Sequence, residues 1–206
     1  MPAALASKDE IVDRLFTVFR DHGFEGASLA DLSRATGLGK SSLYHHFPGG
    51  KEQMAAAVLE RTTALIDTAI LKVAQAPEPL KVRVRKIVAA FNQIFAGGRT
   101  SCVLGQLSSA SIGADARQGL RQAFTHWIEA IERLAVESGM SQLRARRFAE
   151  DWVASLQGAL ILQAAIGDTG PFKRAMDVLL DLAKEDARDI ESRADASNGG
   201  GIARRR

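Results

Sequence analysis

Residues 28–47 read SLADLSRATGLGKSSLYHHF, and this stretch decides the fold. Apolar side chains recur in it at helical spacing, which predicts two short helices, 28–35 and 39–46. Between them, Gly37 can adopt the left-handed conformation of a tight turn at little steric cost. Two short helices joined by such a turn are typical of a helix-turn-helix unit. Ser28 is expected to cap the first of them.

Two patterns within the same stretch suggest other chemistry, and neither holds. Residues 39–41 (GKS) match the end of a phosphate-binding loop, but that loop needs a glycine where this chain has Arg34, and a strand before it. His45 and His46 are adjacent, so on a helix they point about 100° apart and are poorly placed to share a metal ion. We therefore expect no metal, no cofactor and no catalytic residue, although a triad assembled from distant residues stays open.

The second short helix is expected to be amphipathic. Apolar residues can point inward from this region: Leu32, Leu38, Leu43 and Phe47. The outer side carries side chains of the types that contact phosphates and base edges: Lys40, Ser41, Ser42, Tyr44 and His45. The alternative is a merely solvated polar face, and the six basic and six acidic residues of 1–51 do not decide between the two. However, residues 39–51 contain no acid at all.

Composition bounds the rest of the molecule. The chain has 206 residues, 46% of them hydrophobic and 25% charged, which is ordinary for one or two soluble domains. A net charge of +3 is too small to identify a polyanionic partner. The single Cys102 precludes an intramolecular disulfide. There is no secretory signal and no apolar run near the ~20 residues that span a bilayer, so we expect a cytoplasmic protein without membrane contact.

Further helical patterns run along the chain, and no segment alternates as a strand does. They cover 8–22, 52–75, 80–96, 115–138, 142–166 and 171–189. We therefore expect an all-α fold of about nine helices. The predicted division is a helix-turn-helix domain over 1–51, a second helical domain over 52–190 and a tail over 191–206. The tail has little to bury and is expected to be disordered.

The residues of 28–32 and 36–47 closely resemble the signature of the TetR (tetracycline repressor) family of bacterial regulators. The core of that signature, Gly-hydrophobic-x-Lys-x-Ser/Thr-Leu-Tyr-x-x-Phe, is specific, and the resemblance extends over residues 8–60. The linker over 48–52 is one residue longer than the common form and resembles the LmrA/YxaF-like branch. Small residues replace the usual ones at four positions, which bears on the operator sequence: Ser33, Thr36, Gly39 and Ser41.

The resemblance implies a ligand-responsive transcriptional regulator, most often a repressor. It would have an N-terminal three-helix DNA-binding domain and a C-terminal ligand-binding and dimerisation domain. A homodimer would place two recognition helices in successive major grooves of a near-palindromic double-stranded operator, about 34–36 Å apart. A small apolar molecule would release it. By position in the signature, seven residues would contact DNA: Ser28, Lys40, Ser41, Ser42, Tyr44, His45 and Lys51.

The second domain should supply an effector pocket. Aromatic and polar residues there could wall an apolar cavity, although core packing is the ordinary role for any one of them: Phe91, Phe95, Cys102, Gln106, Phe124, Trp127, Trp152 and Gln157. The family resemblance makes an electrophile-sensing role for Cys102 conceivable, but the chain has no second cysteine to resolve an oxidised thiol.

The last two helices should supply the dimer face. Ala154 and Gly158 are small enough for close helix approach, and an apolar stripe on the last helix has no obvious place in a monomer: Phe172, Met176, Leu179 and Leu180. Two helices from each subunit would form a four-helix bundle. A different class of function stays open, namely a helical ligand-binding or enzymatic protein that retains the helix-turn-helix only as structure.

Overall fold

The computed structural model describes residues 7–198, with side chains described up to residue 184. Within this part of the chain there are helices and no strand, which confirms the all-α prediction. We number nine helices in it: α1 (Lys8–Gly26), α2 (Leu29–Thr36), α3 (Lys40–His46), α4 (Gly50–Ile66, continued below), α5 (Leu80–Ile94), α6 (Val103–Ser108), α7 (Ala114–Glu137), α8 (Gln142–Ile166) and α9 (Gly170–Asn198).

Helix α1 begins with a capping box and contains a kink. The Ser7 hydroxyl accepts a hydrogen bond from the Glu10 amide, and the Glu10 carboxylate accepts one from the Ser7 amide. This pairing satisfies two amides that the first turn leaves without helical partners. The helical pattern predicted over 8–22 ends where the backbone leaves helical geometry, at Gly23 with a φ of 66°, and a further helical turn beyond this kink reaches Gly26.

The helix-turn-helix forms as predicted. The Ser28 hydroxyl caps α2 by accepting from the Asp31 amide at 3.2 Å. Gly37 ends α2 with a φ of 73°, which turns the chain into α3. Leu32, Leu43 and Phe47 are buried, and Leu38 is half-buried against the same core, so the inward face of the unit is confirmed. This burial fixes which side of α3 remains in solvent.

Helix α4 connects the two halves of the molecule. It packs on α1 on one side and along α7 on the other. Beyond Ile66 it continues through a π-helical turn (Asp67–Leu71) into a last α-helical turn (Lys72–Gln75). In that π-helical turn the Asp67 carboxylate hydrogen-bonds Nδ1 of His126 on α7 at 2.6 Å. Such turns frequently lie at functional sites, because they interrupt the regular packing of a helix.

A buried arginine holds the far end of α4. Arg83 of α5 donates to the backbone oxygens of Ala74 and Glu78, at 2.5 and 2.7 Å. Its guanidinium also pairs with the carboxylate of Glu137 at the end of α7. A guanidinium offers five donors in a fixed plane, so it can join the ends of three elements at once.

The apolar stripe of α9 completes the core of the subunit. α9 packs against both α5 and α8, and Phe172, Met176 and Leu179 are buried between them. Leu180 is half-buried. The prediction that this stripe lies on the surface of a single subunit is therefore wrong. Helical spacing shows that α9 has an apolar face, but it does not show which element covers that face.

The C-terminal boundary also differs from the prediction. Helix α9 is described as far as Asn198, beyond the boundary predicted at residue 190. The stretch beyond that boundary, ESRADASN, contains no glycine or proline and includes good helix formers. The rest of the predicted tail, residues 199–206, lies outside the described residues. None of the helices in the described region is long and apolar enough to cross a membrane.

Candidate nucleic-acid interface and effector cavity

The outer face of α3 is exposed to solvent. All five predicted contact residues on it are exposed, including Tyr44 at 45%: Lys40, Ser41, Ser42, Tyr44 and His45. None of these five side chains hydrogen-bonds another described residue. The helix has no acid in its first turn. The face is therefore a set of uncommitted donors on a helix whose opposite side is fixed in the core.

The predicted contact residue Ser28 is already engaged in the fold. Its hydroxyl accepts from the Asp31 amide and donates to the Asp31 carboxylate at 2.5 Å. The hydrogen bond from Ser28 lowers the pKa of Asp31, so this carboxylate is ionised at neutral pH. A phosphate bound at Ser28 would have to compete with this negatively charged acceptor for the hydroxyl proton.

Lys51 also has a structural contact. Its Nζ donates to the backbone oxygen of Ala27 at 3.2 Å and lies 4.5 Å from the centre of the Phe24 ring. These contacts fix the start of α4 against the turn between α1 and α2. An ammonium group carries three donors, so two remain for other acceptors.

A cavity of about 260 Å³ lies where α1, α4, α5, α6 and α7 meet. Four of the predicted effector-binding residues line it: Phe91, Phe95, Cys102 and Trp127. Its remaining wall includes residues that sequence reasoning missed, namely Phe16 and Arg20 of α1, and residues of α4 from Thr62 to the π-helical turn. The cavity is thus built partly from the helix-turn-helix domain and partly from the second domain. We call it the junction cavity.

A second cavity of about 560 Å³ lies between α6, α7 and α8. Gln106, Phe124 and Gln157 line it, together with Cys102, whose residue touches both cavities. The eight predicted effector residues therefore do not wall one pocket. Trp152 lines neither cavity, because its indole is packed in the core and donates to the backbone oxygen of Ala175 at 2.7 Å.

Each cavity has a buried donor in one of its lining residues. Nε1 of Trp127 and Nε2 of Gln157 are buried and hydrogen-bond no described residue. Buried polar groups are normally paired, and leaving one unpaired costs about 1–3 kcal/mol. An acceptor on a bound molecule could remove that cost.

Cys102 is 8% exposed, at the start of α6. Burial raises the pKa of its thiol, and a hydrogen bond with Gln157 offsets only part of that effect. The neutral thiol therefore predominates at pH 7. Since the thiolate is the nucleophile, this environment favours packing over electrophile sensing.

The exposed apolar residues of the last two helices are not those of the predicted stripe. Ile161 and Ile166 of α8 are each 68% exposed, and Leu162 of α8 and Val178 of α9 are exposed as well. The predicted dimer residue Ala154 is exposed, and Gly158 is half-buried with open space beyond its Cα. Exposed apolar surface of this kind marks interaction sites.

Two family models match the chain. The model for bacterial regulatory proteins of the tetR family matches residues 7–58. The model for the C-terminal domain of LmrA/YxaF-like transcriptional regulators matches residues 83–178. Together they cover most of the helix-turn-helix domain and most of the second domain.

Individual proteins and structures agree with these matches. The HTH-type transcriptional regulator LmrA of Bacillus subtilis is 23% identical over 86% of this chain and 97% of its own length. The negative transcriptional regulator IcaR of Staphylococcus epidermidis is 38% identical over 45 residues, 22% of this chain and 24% of its own. The crystal structure of a TetR transcriptional regulator from Legionella pneumophila superposes with a TM-score of 0.76 at 19% identity, covering 87% of this chain and 97% of that one.

Burial of Cys102 predicts slow alkylation. At pH 7, iodoacetamide should modify Cys102 in the folded protein at least about tenfold more slowly than it modifies glutathione, and the difference should disappear in urea. Intact mass against time measures the rate. As a matched control, Ser109→Cys in a Cys102→Ser background carries an exposed thiol at the second cavity, which Cys102 also lines, and should react rapidly. A folded wild-type protein that reacts as fast as glutathione contradicts the assignment.

Proposed function

Because this chain belongs to the TetR family of bacterial transcriptional regulators, in the LmrA/YxaF-like branch, we propose that it is a ligand-responsive repressor that binds a near-palindromic operator as a homodimer. The observation that carries the proposal is the outer face of α3. It presents a cation, two hydroxyls, a phenol and an imidazole to solvent, and none of the five is held by another described side chain.

The proposed contacts follow from the geometry of α3. Lys40, Ser41 and Ser42 lie in its first turn and would approach base edges in the major groove. Tyr44 and His45 lie one turn further and would contact phosphates or the edge of the base pairs. Lys51 would hold the backbone with the donors left over from its contact with Ala27. Ser28 is the weakest member of the set, because its proton is committed to Asp31.

The same face distinguishes the proposal from its alternative. A helix-turn-helix kept only as structure needs the buried side of α3, which Leu43 supplies, and the Phe47 anchor that follows it. It does not need an outer side free of acids and rich in donors. The retention of these donors therefore supports DNA binding over a purely structural role.

The dimer is proposed to form through α8 and α9. The face carries Ile161 and Ile166, whose exposure in a single subunit would be removed by the same face of a second copy. A twofold axis brings identical patches together, and two helices from each subunit make a four-helix bundle. The dimer-forming residues predicted on α9 are replaced in this proposal by exposed residues of α8.

Effector response is proposed to arise at the junction cavity. A molecule there touches α1 of the helix-turn-helix domain and α4 and α5 of the second domain at the same time. If it binds one arrangement of these helices more tightly than the other, it shifts the population toward that arrangement. Operator affinity then changes by the same coupling free energy.

Lys40→Ala should weaken binding to DNA from the region upstream of the protein's own gene and lower the magnitude of the slope of log K against log[salt] by about one, because a lysine in the major groove also displaces a counterion from the neighbouring phosphates. Tyr44→Phe should weaken binding without changing that slope. Lys173→Ala, which removes an exposed cation from α9, should change neither. Fluorescence anisotropy across a salt series measures all three. Equal slopes for Lys40→Ala and wild type would count against the assignment of α3.

The double variant Ile161→Glu with Ile166→Glu should be monomeric at micromolar concentration, because burying two carboxylates from each subunit in the proposed interface carries a large desolvation cost. The matched control is Leu143→Glu, which changes a 64% exposed leucine at the other end of α8 and should stay dimeric. Light scattering after size exclusion gives the mass. A wild-type monomer, or a double variant that remains a dimer, overturns this interface.

A further inference from the structure

The junction cavity has a cation in its wall. Among the described residues that line it, Arg20 alone is charged, and it comes from α1. Its side chain is 24% exposed, and its Nε donates to the carboxylate of the adjacent Asp21 at 2.9 Å. A guanidinium has five N–H donors, and within the described region only this one has a hydrogen-bond acceptor. The other four donors have no acceptor among the described residues.

The lining of the cavity is mostly apolar and contains few polar side chains. Besides Arg20 these are Thr62, Gln93 and Ser101, whereas the exposed part of the lining also includes Leu65 and Ile94. In contrast, Ile70, Phe91 and Trp127 are almost fully buried. The lining residues include no carboxylate. An apolar body enclosed in the interior would thus leave its polar end beside donors and a positive charge.

The cavity size and charge restrict the ligand further. A volume of about 260 Å³ lies just below the range of pockets for drug-sized molecules, so the ligand is small. A single cation balances a single negative charge, whereas a dianion next to apolar walls would leave an uncompensated charge. A carboxylate also matches the planar donor pair of a guanidinium.

We propose that the junction cavity binds a small carboxylate with an apolar body, whose carboxylate pairs with Arg20 and whose body lies among Ile70, Phe91 and Trp127. This inference rests on the proposed function, since it names the chemical class of the effector. The carboxylate is held by α1 while the apolar body is held by the second domain. Because the ligand contacts both, it connects the helix-turn-helix domain to the second domain.

The pairing of Arg20 with Asp21 does not block this contact. The two residues are adjacent on the helix, and the Asp21 side chain is 49% exposed, so the ion pair is screened by solvent and weak. It occupies Nε, and both terminal nitrogens remain for the ligand. Neutralising Asp21 should therefore strengthen carboxylate binding rather than abolish the site.

The test compares octanoate with 1-octanol, which share an apolar chain and differ in the charged end. Isothermal titration calorimetry on the dimer without DNA should show octanoate binding at least about tenfold more tightly than 1-octanol, the effect of one charge-assisted hydrogen bond. Equal affinity for the two probes, or no binding of either, overturns the inference.

Two variants and one control assign the preference to Arg20. Arg20→Gln should remove the preference for octanoate and leave the affinity for 1-octanol within about twofold of wild type. Asp21→Asn should increase the preference. Arg121→Gln makes the same charge change at an exposed position of α7 away from the cavity and should behave as wild type. If Arg20→Gln retains the preference while Asp21→Asn has no effect, the carboxylate does not bind at Arg20.

Operator binding is measured separately, with the same probes added to the DNA complex. If octanoate binding depends on Arg20 but octanoate never releases DNA, the result supports the carboxylate site and contradicts the proposed effector response. Operator binding that is indifferent to both probes, in a protein that binds neither, removes the carboxylate inference and leaves DNA recognition standing.

Discussion

The burial of α4 between α1 and α7 is the constraint on which the rest of the molecule depends. Met54, Val58 and Leu59 on this helix are fully buried, so it cannot move without disturbing the cores of both domains. Lys51 fixes its start to the α1–α2 turn, and Arg83 fixes its end to α7. Interiors packed this closely transmit a displacement rather than absorb it. The position of α3 is therefore tied to the packing of the second domain.

The π-helical turn is the one departure from regular helix along α4 within the described residues. It lies where Ile66, Ala69 and Ile70 form part of the junction cavity and where Asp67 is hydrogen-bonded to His126. In the proposed mechanism, a change in the contents of the cavity would act on the part of α4 whose backbone hydrogen bonding is already irregular. The same cavity reaches α1, so the second domain has two routes to the helix-turn-helix: along α4 and directly across to Phe16 and Arg20.

Local signals in the sequence were sufficient for the helix-turn-helix. Its cap at Ser28, its turn at Gly37 and its buried Leu43 depend on residues a few positions apart, and all three form as predicted. The predictions that were wrong concern residues whose surroundings are set by tertiary packing. The stripe of Phe172 and Met176 is covered by α5 and α8, and no feature of α9 alone indicates that cover.

The residues that line the candidate cavities were also only partly predictable from the sequence. Aromatic residues predicted an apolar pocket, but the spacing of Phe91 and Gln157 along the chain does not reveal that they line two different cavities. Arg20 was missed because on its own helix it is an ordinary surface cation beside Asp21. Only the packing of α1 on α6 brings it to the junction cavity. The signal that the sequence offers is a charged residue on the side of α1 that does not face the helix-turn-helix core.

We propose that the contents of the junction cavity set the separation of the two recognition helices in the dimer. This separation can be followed through the distance between spin labels placed at Glu25→Cys, an exposed position of α1, in a dimer that also carries Cys102→Ser. Pulsed electron–electron double resonance should give one distance between the labels on operator DNA, compatible with recognition helices about 34–36 Å apart. It should give a different distance when octanoate is bound. The shift should be absent in Arg20→Gln. A distance that is the same with and without octanoate, in a protein shown by calorimetry to have bound it, contradicts the account.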